Sequence, residues 1–417
     1  MKLSTSLLAV LLTSAVAMPA SAQFGYKSGS AKAEKPKEKQ QEAGTNAAGQ
    51  VRPSAGAVKA IVALQTAVNS GDAAAIQAAT QAAQAVASTK EDRYLIGQLQ
   101  LNAAVAANNN AAAAAAIDAI AASSYLEAPK VADLYKALGR KALQSKDYAQ
   151  ANALIGKAVA LQPNSVELMM LQGDVLLTGG NKAEALTAYQ RVIQLRTAAG
   201  QKPEEDLYKR AVQAAYDARL PSAGDLAIQW VTAYPNAESW RNSIAIYRNT
   251  AKPDVEGTLD LMRLMRQAGS LKRGGDLDLY VTTLLEQSNF IEAQTAVDQA
   301  KTSGADAATV QKLSTLVASK PKVTAAELSA AANGAQSGMA MLRIGDRFYG
   351  LGDYAKAAEM YRAAGTKGAD ANLISMRTGI ALAAAGDKAG ASAAFNAVTG
   401  PRAGVAKYWL LYLQTKG

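Results

Sequence analysis

The stretch Ala132–Leu195 reads ADLYKALGRKALQSKDYAQANALIGKAVALQPNS and then VELMMLQGDVLLTGGNKAEALTAYQRVIQL, one helical hairpin written twice with a period of 34 residues. With Ala132 as position 1, Tyr135, Leu138, Gly139, Ala142, Ala151, Ile155, Ala158 and Pro163 fall at positions 4, 7, 8, 11, 20, 24, 27 and 32. A step of 34 carries Gly139 to Gly173, Ala151 to Ala185 and Ile155 to Tyr189. The same step relates Gly345 to Gly379, Ala357 to Ala391 and Tyr361 to Phe395. Small residues at positions 8 and 20 let two helices cross closely, and larger apolar residues at 24 and 27 fill the wedge beside the crossing. The turn inside each hairpin recurs as Lys146-Asp147-Tyr148, Gly180-Asn181-Lys182, Gly352-Asp353-Tyr354 and Gly386-Asp387-Lys388. Gly or Asn/Asp there closes one helix and opens the next.

This set of positions resembles the tetratricopeptide repeat (TPR), whose units carry an aromatic, Leu, Gly, Tyr, Ala, Phe/Tyr, Ala and Pro at those places. The resemblance implies an all-α, TPR-type α-solenoid, a right-handed superhelix of helical hairpins. It also implies a protein or peptide ligand held on a concave groove, with positions 2, 5, 9 and 12 of each first helix pointing into it. These are Asp133, Lys136, Arg140 and Leu143 in the first clear unit, and Glu167, Met170, Asp174 and Leu177 in the second. Near the C-terminus they are Met339, Leu342, Asp346 and Tyr349, then Leu373, Met376, Ile380 and Ala383. Lys136, Arg140, Met170, Asp174, Leu177, Leu342, Asp346 and Tyr349 are the candidate partner-binding residues. A carboxylate clamp, which grips a peptide's terminal carboxylate with Lys and Asn, does not fit: Lys136 matches, but Arg140 and Leu171 stand where Asn belongs. The C-terminal groove is the more apolar and suits an amphipathic helix or extended peptide.

The rest of the chain follows from this frame. Residues 53–130 read as two Ala-rich, degenerate hairpins, one turning at Asn69-Ser70-Gly71-Asp72 and one at Asn108-Asn109-Asn110. Two clear repeats occupy 131–200, divergent hairpins 201–337, and two clear repeats 338–400. Within the divergent part Leu207–Arg219 is expected to pair with Ala223–Tyr234, Ser239–Asn249 with Val255–Ala268, and Leu277–Gln287 with Phe290–Lys301. Gly173 and Gly345 lie 172 residues apart, close to five periods, which leaves room for four intervening units. The aromatic run Tyr408-Trp409-Leu410-Leu411-Tyr412-Leu413 in 401–417 reads as a capping helix, because a solenoid must cover its last open apolar face.

Residues 1–22 have a basic start at Lys2, an apolar run from Leu7 to Ala17 and Ala20-Ser21-Ala22, the pattern of a secretory signal peptide cleaved after Ala22. The apolar run is too short for a transmembrane span. Residues 23–52 are Lys, Glu, Gln, Ser, Gly and Ala with few large apolar groups, a composition expected of a flexible tether. The chain has no Cys, so it carries neither a disulfide nor a lipoprotein signal, and a Gram-negative periplasm is the expected location. Its 44 basic and 34 acidic residues give +10, or +9 once Lys2 leaves with the signal. That excess is spread thinly, as simple solubility requires, and an exported chain is not expected to meet nucleic acid.

With no His and no Cys, Ser-His-Asp, Cys-His and the usual zinc arrangements are excluded. No phosphate-cradling Gly-Lys-Ser/Thr loop occurs. Glu238-Ser239 matches the catalytic Glu-Ser of lytic transglycosylases, but the Gly-Leu-Met-Gln that should follow is missing and Glu238 suits a helix N-terminus. No enzyme activity, cofactor or metal is expected. The expected function is a periplasmic scaffold or adaptor that holds other envelope proteins. The alternative is a peptidoglycan-associated enzyme, or an accessory subunit of cell-wall or polysaccharide-export machinery.

Overall fold

The computed structural model describes Gly44–Thr45 and residues 51–416. The expected signal peptide and nearly all of the expected tether lie outside the described residues. The protein is an all-α helical-repeat solenoid, with twenty-one α-helices among the described residues. Among the described residues the one pair of strands is minimal: β1 (Gly44–Thr45) runs antiparallel to β2 (Val51–Arg52), pairing Thr45 with Val51. The chain divides between Gln201 and Lys202 into two compact units.

Unit 1 stacks four hairpins: α1 (Val58–Ser70) with α2 (Ala73–Val86), α3 (Lys90–Ala106) with α4 (Asn110–Ser123), α5 (Ala128–Gln144) with α6 (Tyr148–Leu161), and α7 (Val166–Thr178) with α8 (Lys182–Ala198). The glycine at position 8 accounts for how closely each pair approaches. A Cβ on Gly139 would sit 2.7 Å from Ile155 Cδ1, and one on Gly173 would sit 2.5 Å from Tyr189 Cε1. The side chain at position 24 therefore occupies the space a Cβ would need, and the carbonyl of Ala151, position 20, lies just behind at 3.5 Å. The earlier hairpin obeys the same rule with a longer arm. Gly97 faces Ile120 and Ala116, which are 23 and 19 residues on, where the clear repeat has 16 and 12. About one extra helical turn in each of α3 and α4, between the crossing and the turn, thus hides a repeat of ordinary make.

Each turn uses a left-handed residue followed by a cap. Lys146 (φ 60°) and Gly180 (φ 89°) stand one period apart, and Asp147 Oδ1 accepts the Gln150 N–H at 3.0 Å. At the start of the unit, the buried Asp92 carboxylate accepts the backbone N–H groups of Ser54, Ser88 and Thr89 and the Ser54 hydroxyl, the shortest at 2.8 Å. These bonds tie the segment after β2 to α3.

Unit 2 contains α9 (Glu205–Asp217), α10 (Ala223–Ala233), α11 (Ala237–Ala251), α12 (Val255–Gln267), α13 (Gly274–Glu286), α14 (Phe290–Thr302), α15 (Ala307–Ala318), α16 (Ala325–Gly334), α17 (Gly338–Leu351), α18 (Tyr354–Gly365), α19 (Ala371–Ala385), α20 (Lys388–Asn396) and α21 (Ala403–Thr415). Its two clear repeats are α17–α18 and α19–α20. A Cβ on Gly345 or Gly379 would sit 2.6 Å from Tyr361 or Phe395 respectively. Between α8 and α17 there is helix enough for four hairpins, but only α9–α10 and α13–α14 fold as such. α12 packs on α11 no more closely than on α19 and α21, and lies in the interior among these helices and α13. The α15–α16 pair is an excursion whose two helices barely touch, while α14 packs directly on α17. Gly350 allows that contact, since a Cβ there would meet the Glu292 backbone nitrogen at 2.7 Å.

The aromatic helix α21 covers α20, as a cap should, and also reaches α11 and α12. Trp409 Nε1 donates to the Asp260 carbonyl at 3.2 Å, Tyr412 Oη to the Gln267 carbonyl at 3.1 Å, and Tyr408 Oη lies 3.0 Å from Ser243 Oγ. Arg402 binds Asp254 at 2.6 Å. Unit 2 is closed on itself by contacts spanning about 150 residues of sequence.

Candidate partner-binding faces

In unit 1 the positions 2, 5, 9 and 12 of α5 and α7 share one face, as ion pairs between the two helices demonstrate. Glu167, position 2 of α7, meets Lys136 at 3.4 Å and Arg140 at 3.1 Å, and Lys136 also binds Asp133 at 3.0 Å. Arg140 is exposed; Lys136, Met170, Asp174 and Leu177 are half-buried, so water reaches all five. Asp174 accepts the Tyr189 hydroxyl at 2.8 Å. Leu143 and Leu171 are partly buried against the core beneath. The result is a shallow apolar floor with charges of both signs along it. Surface ion pairs of this type contribute less than about 1 kcal/mol each, so they leave the side chains free to change partners.

The corresponding face of unit 2 is covered, which corrects the expectation for Leu342, Asp346 and Tyr349. They retain 0%, 1% and 3% of their exposure, and side chains of α12 cover Asp346 and Tyr349. Arg263 of α12 reaches Asp346 at 3.1 Å and places its guanidinium 4.7 Å from the centre of the Tyr349 ring.

What holds α12 there is a buried charge network that periodicity did not reveal. Arg263 grips Glu292 through two hydrogen bonds of 2.7 and 2.6 Å, and Glu292 also receives the Tyr280 hydroxyl at 2.6 Å. Asp346 accepts from Arg377, from the Tyr361 hydroxyl at 2.9 Å and from Arg343 at 3.3 Å. Glu256 bridges Arg343 and Arg377, both at 2.5 Å. Burial alone would raise the Asp346 carboxyl, but the guanidinium groups of Arg377, Arg263 and Arg343 outweigh it and hold the group well below the usual carboxylate range. Glu256 is lowered in the same way, the pull of Arg377 and Arg343 exceeding the cost of burial.

Asp260 goes the other way. Arg377 Nε lies 2.7 Å from its Oδ1 without hydrogen-bond alignment, and neither carboxylate oxygen accepts a hydrogen bond. Burial, opposed by Arg377 and Arg263, pushes its carboxyl up to about 6. A sequence signal for the network did exist: Arg377 is the one cation in the otherwise apolar helix ANLISMRTGIALAAA, and Glu256, Asp260 and Arg263 repeat at helical spacing among Leu and Met.

Glu238 and Ser239 serve the fold. Glu238 pairs with Lys209 at 2.6 Å, and the fully buried Ser239 caps α11 through Asn236. Among the described residues no group of three or more acidic side chains is placed to hold a metal ion, and no helix is long and apolar enough to cross a membrane.

The Tetratricopeptide repeat family model matches residues 136–203 and 342–406. Both stretches centre on hairpins whose position 8 is glycine. No curated protein matches the sequence. Among solved structures, that of Naa15/Naa10 bound to HypK-THB is similar at 11% identity over 86% of this chain and 65% of that one, with a TM-score of 0.39. This chain thus spans less than two thirds of that structure's length. The crystal structure of the P58(IPK) TPR domain is similar at 11% identity over 87% of this chain and 98% of that one, with a TM-score of 0.21.

Proposed function

The chain is a tetratricopeptide-repeat protein, and from that premise we propose that it is an exported, non-catalytic scaffold that holds partner proteins on the α5–α7 face of unit 1. The observation that carries the reading is the contrast between the two units. The face of unit 1 presents Lys136, Arg140, Met170, Asp174 and Leu177 to solvent, whereas in unit 2 Leu342, Asp346 and Tyr349 are buried, the last two against Arg263 of α12. Repeat proteins bind over such faces because stacked helices keep the contact residues rigid, so little entropy is lost on binding.

Export rests on the pattern of residues 1–22, and the periplasm of a Gram-negative cell on the lack of cysteine beside it. Photo-cross-linking side chains at Arg140 and Leu177, introduced one at a time in cells, test the binding reading. The control is Glu184, exposed on the second helix of the same repeat. Discrete adducts in the envelope fraction from Arg140 and Leu177, and none from Glu184, are expected. Equal labelling from all three sinks the reading. N-terminal sequencing of the recovered protein tests export: a start at Gln23 is expected, and a start at Met1 in the cytoplasm removes it.

A further inference from the structure

The two units carry the same pair of residues at the same two positions of the repeat. Asp174 and Tyr189 stand at positions 9 and 24 in unit 1, and Asp346 and Tyr361 stand there in unit 2, with hydroxyl-to-carboxylate distances of 2.8 and 2.9 Å. The neighbours match as well. Apolar side chains flank the aspartate at positions 5 and 12, Met170 and Leu177 in one unit, Leu342 and Tyr349 in the other. Where the repeat has no aspartate at position 9, position 24 has no hydroxyl: Arg140 goes with Ile155, and Ile380 with Phe395.

In unit 2 this constellation is seen with a helix seated on it. α12 brings Arg263 to Asp346 at 3.1 Å and stacks the same guanidinium over Tyr349, and Leu342 beside them is fully buried. The aspartate tolerates many donors at once, since Tyr361, Arg263, Arg377 and Arg343 all reach it. A carboxylate offers about four lone-pair directions, so existing partners do not prevent a further guanidinium from joining.

We propose that the face of unit 1 takes an arginine-bearing amphipathic helix of a partner protein, with the arginine on Asp174 and the apolar side of the helix on Met170 and Leu177. This rests on the reading of unit 1 as the partner-binding face and adds the chemistry of the ligand. α12 serves as the template: acids at 256 and 260, arginine at 263, with Leu259 and Met262 between them.

The test uses the full-length chain, its own α12 in place, and a fluorescent synthetic peptide with the sequence of residues 255–267. Binding is followed by anisotropy, and each variant's melting temperature is measured alongside so that unfolding is not mistaken for lost affinity. Saturable binding to the wild type is expected. Asp174→Asn and a peptide carrying Arg263→Gln should each weaken it by about tenfold, typical for loss of one charge-assisted contact. Combining the two should cost little more than either alone, because both remove one interaction. Leu177→Lys, which leaves the Tyr189 hydrogen bond intact, should also abolish binding.

Three results overturn the inference: no binding at millimolar peptide, full binding to both Asp174→Asn and Leu177→Lys, or additive losses in the cycle. If the peptide fails while cross-linkers at Leu177 still trap a partner in cells, the scaffold reading stands and the arginine-helix ligand falls.

Discussion

Arg263 and Asp346 lie 83 residues apart in sequence and 3.1 Å apart in the folded chain, both shut away from water. That contact joins a helix in the interior of unit 2 to the first helix of its clearest repeat. Neither residue can lose the other cheaply, since a buried charge without a counter-charge costs far more than the pair gains over an apolar substitute.

Arg263→Met should therefore destabilise unit 2 by about 3 to 5 kcal/mol, because it strands Glu292 as well as weakening the support of Asp346. Urea unfolding followed by Trp409 fluorescence measures this. A loss below about 1 kcal/mol would mean that water reaches the network.

Gly345→Ala puts a methyl group 2.6 Å from the Tyr361 ring and 3.3 Å from the Ala357 carbonyl. Overpacking of this sort costs about 1 to 3 kcal/mol. The partner change Tyr361→Leu should not restore stability, because it leaves Asp346 without a hydroxyl donor, and thermal unfolding of the double variant reveals this.

Lys146 holds φ 60° at the place where Gly180, Gly352 and Gly386 stand in the other turns. A side chain pays roughly 1 kcal/mol to be left-handed there. Lys146→Gly should raise the stability of unit 1 by about 0.5 to 1 kcal/mol, less the entropy that glycine adds to the unfolded chain. A fall in melting temperature contradicts the strain argument.

Asp260 and Asp346 respond to pH with opposite sign. Asp260 titrates higher when folded, about 6 against its ordinary 3.8, so its contribution is complete below about pH 4 and is lost as pH rises through 6. Asp346 and Glu256 titrate lower when folded, so their contributions are complete above their ordinary values of 3.8 and 4.5 and are lost on further acidification. Asp260→Asn removes only the first dependence. Unfolding of both proteins in urea at pH 4.5, 5.5, 6.5 and 7.5 should show the variant gaining on the wild type as pH rises, most steeply between about 4.5 and 5.5 and levelling off above about 6. A difference constant across that range shows that Asp260 is not perturbed.

How much of this could be read in advance follows the physical scale of each signal. Gly139, Gly173, Gly345 and Gly379 were legible because a helix crossing has no room for a Cβ, a constraint acting between residues 12 to 16 apart. Gly97 was blurred by seven extra residues shared between α3 and α4, which break the period without changing the contact. The covering of Leu342, Asp346 and Tyr349 was not legible at all. Position in a repeat says which way a side chain points, and what lies over it is decided by a helix some eighty residues earlier. The expected pairing of Ser239–Asn249 with Val255–Ala268 is only partial for the same reason: both segments are helical, but the charges at 256, 260 and 263 find their partners on α14, α17 and α19 instead of on α11.

The seat of Trp409 on Asp260 fixes a number as well as a shape. An open stack can gain or lose a hairpin and keep every remaining interface, which is how such arrays change length over evolution. Between α12 and α21 that freedom is gone, because inserting or deleting one 34-residue module would carry Trp409, Tyr408 and Tyr412 past their receptors. Unit 2 is fixed in count from α11 onward, and any engineering that lengthens this chain must splice outside residues 237–415.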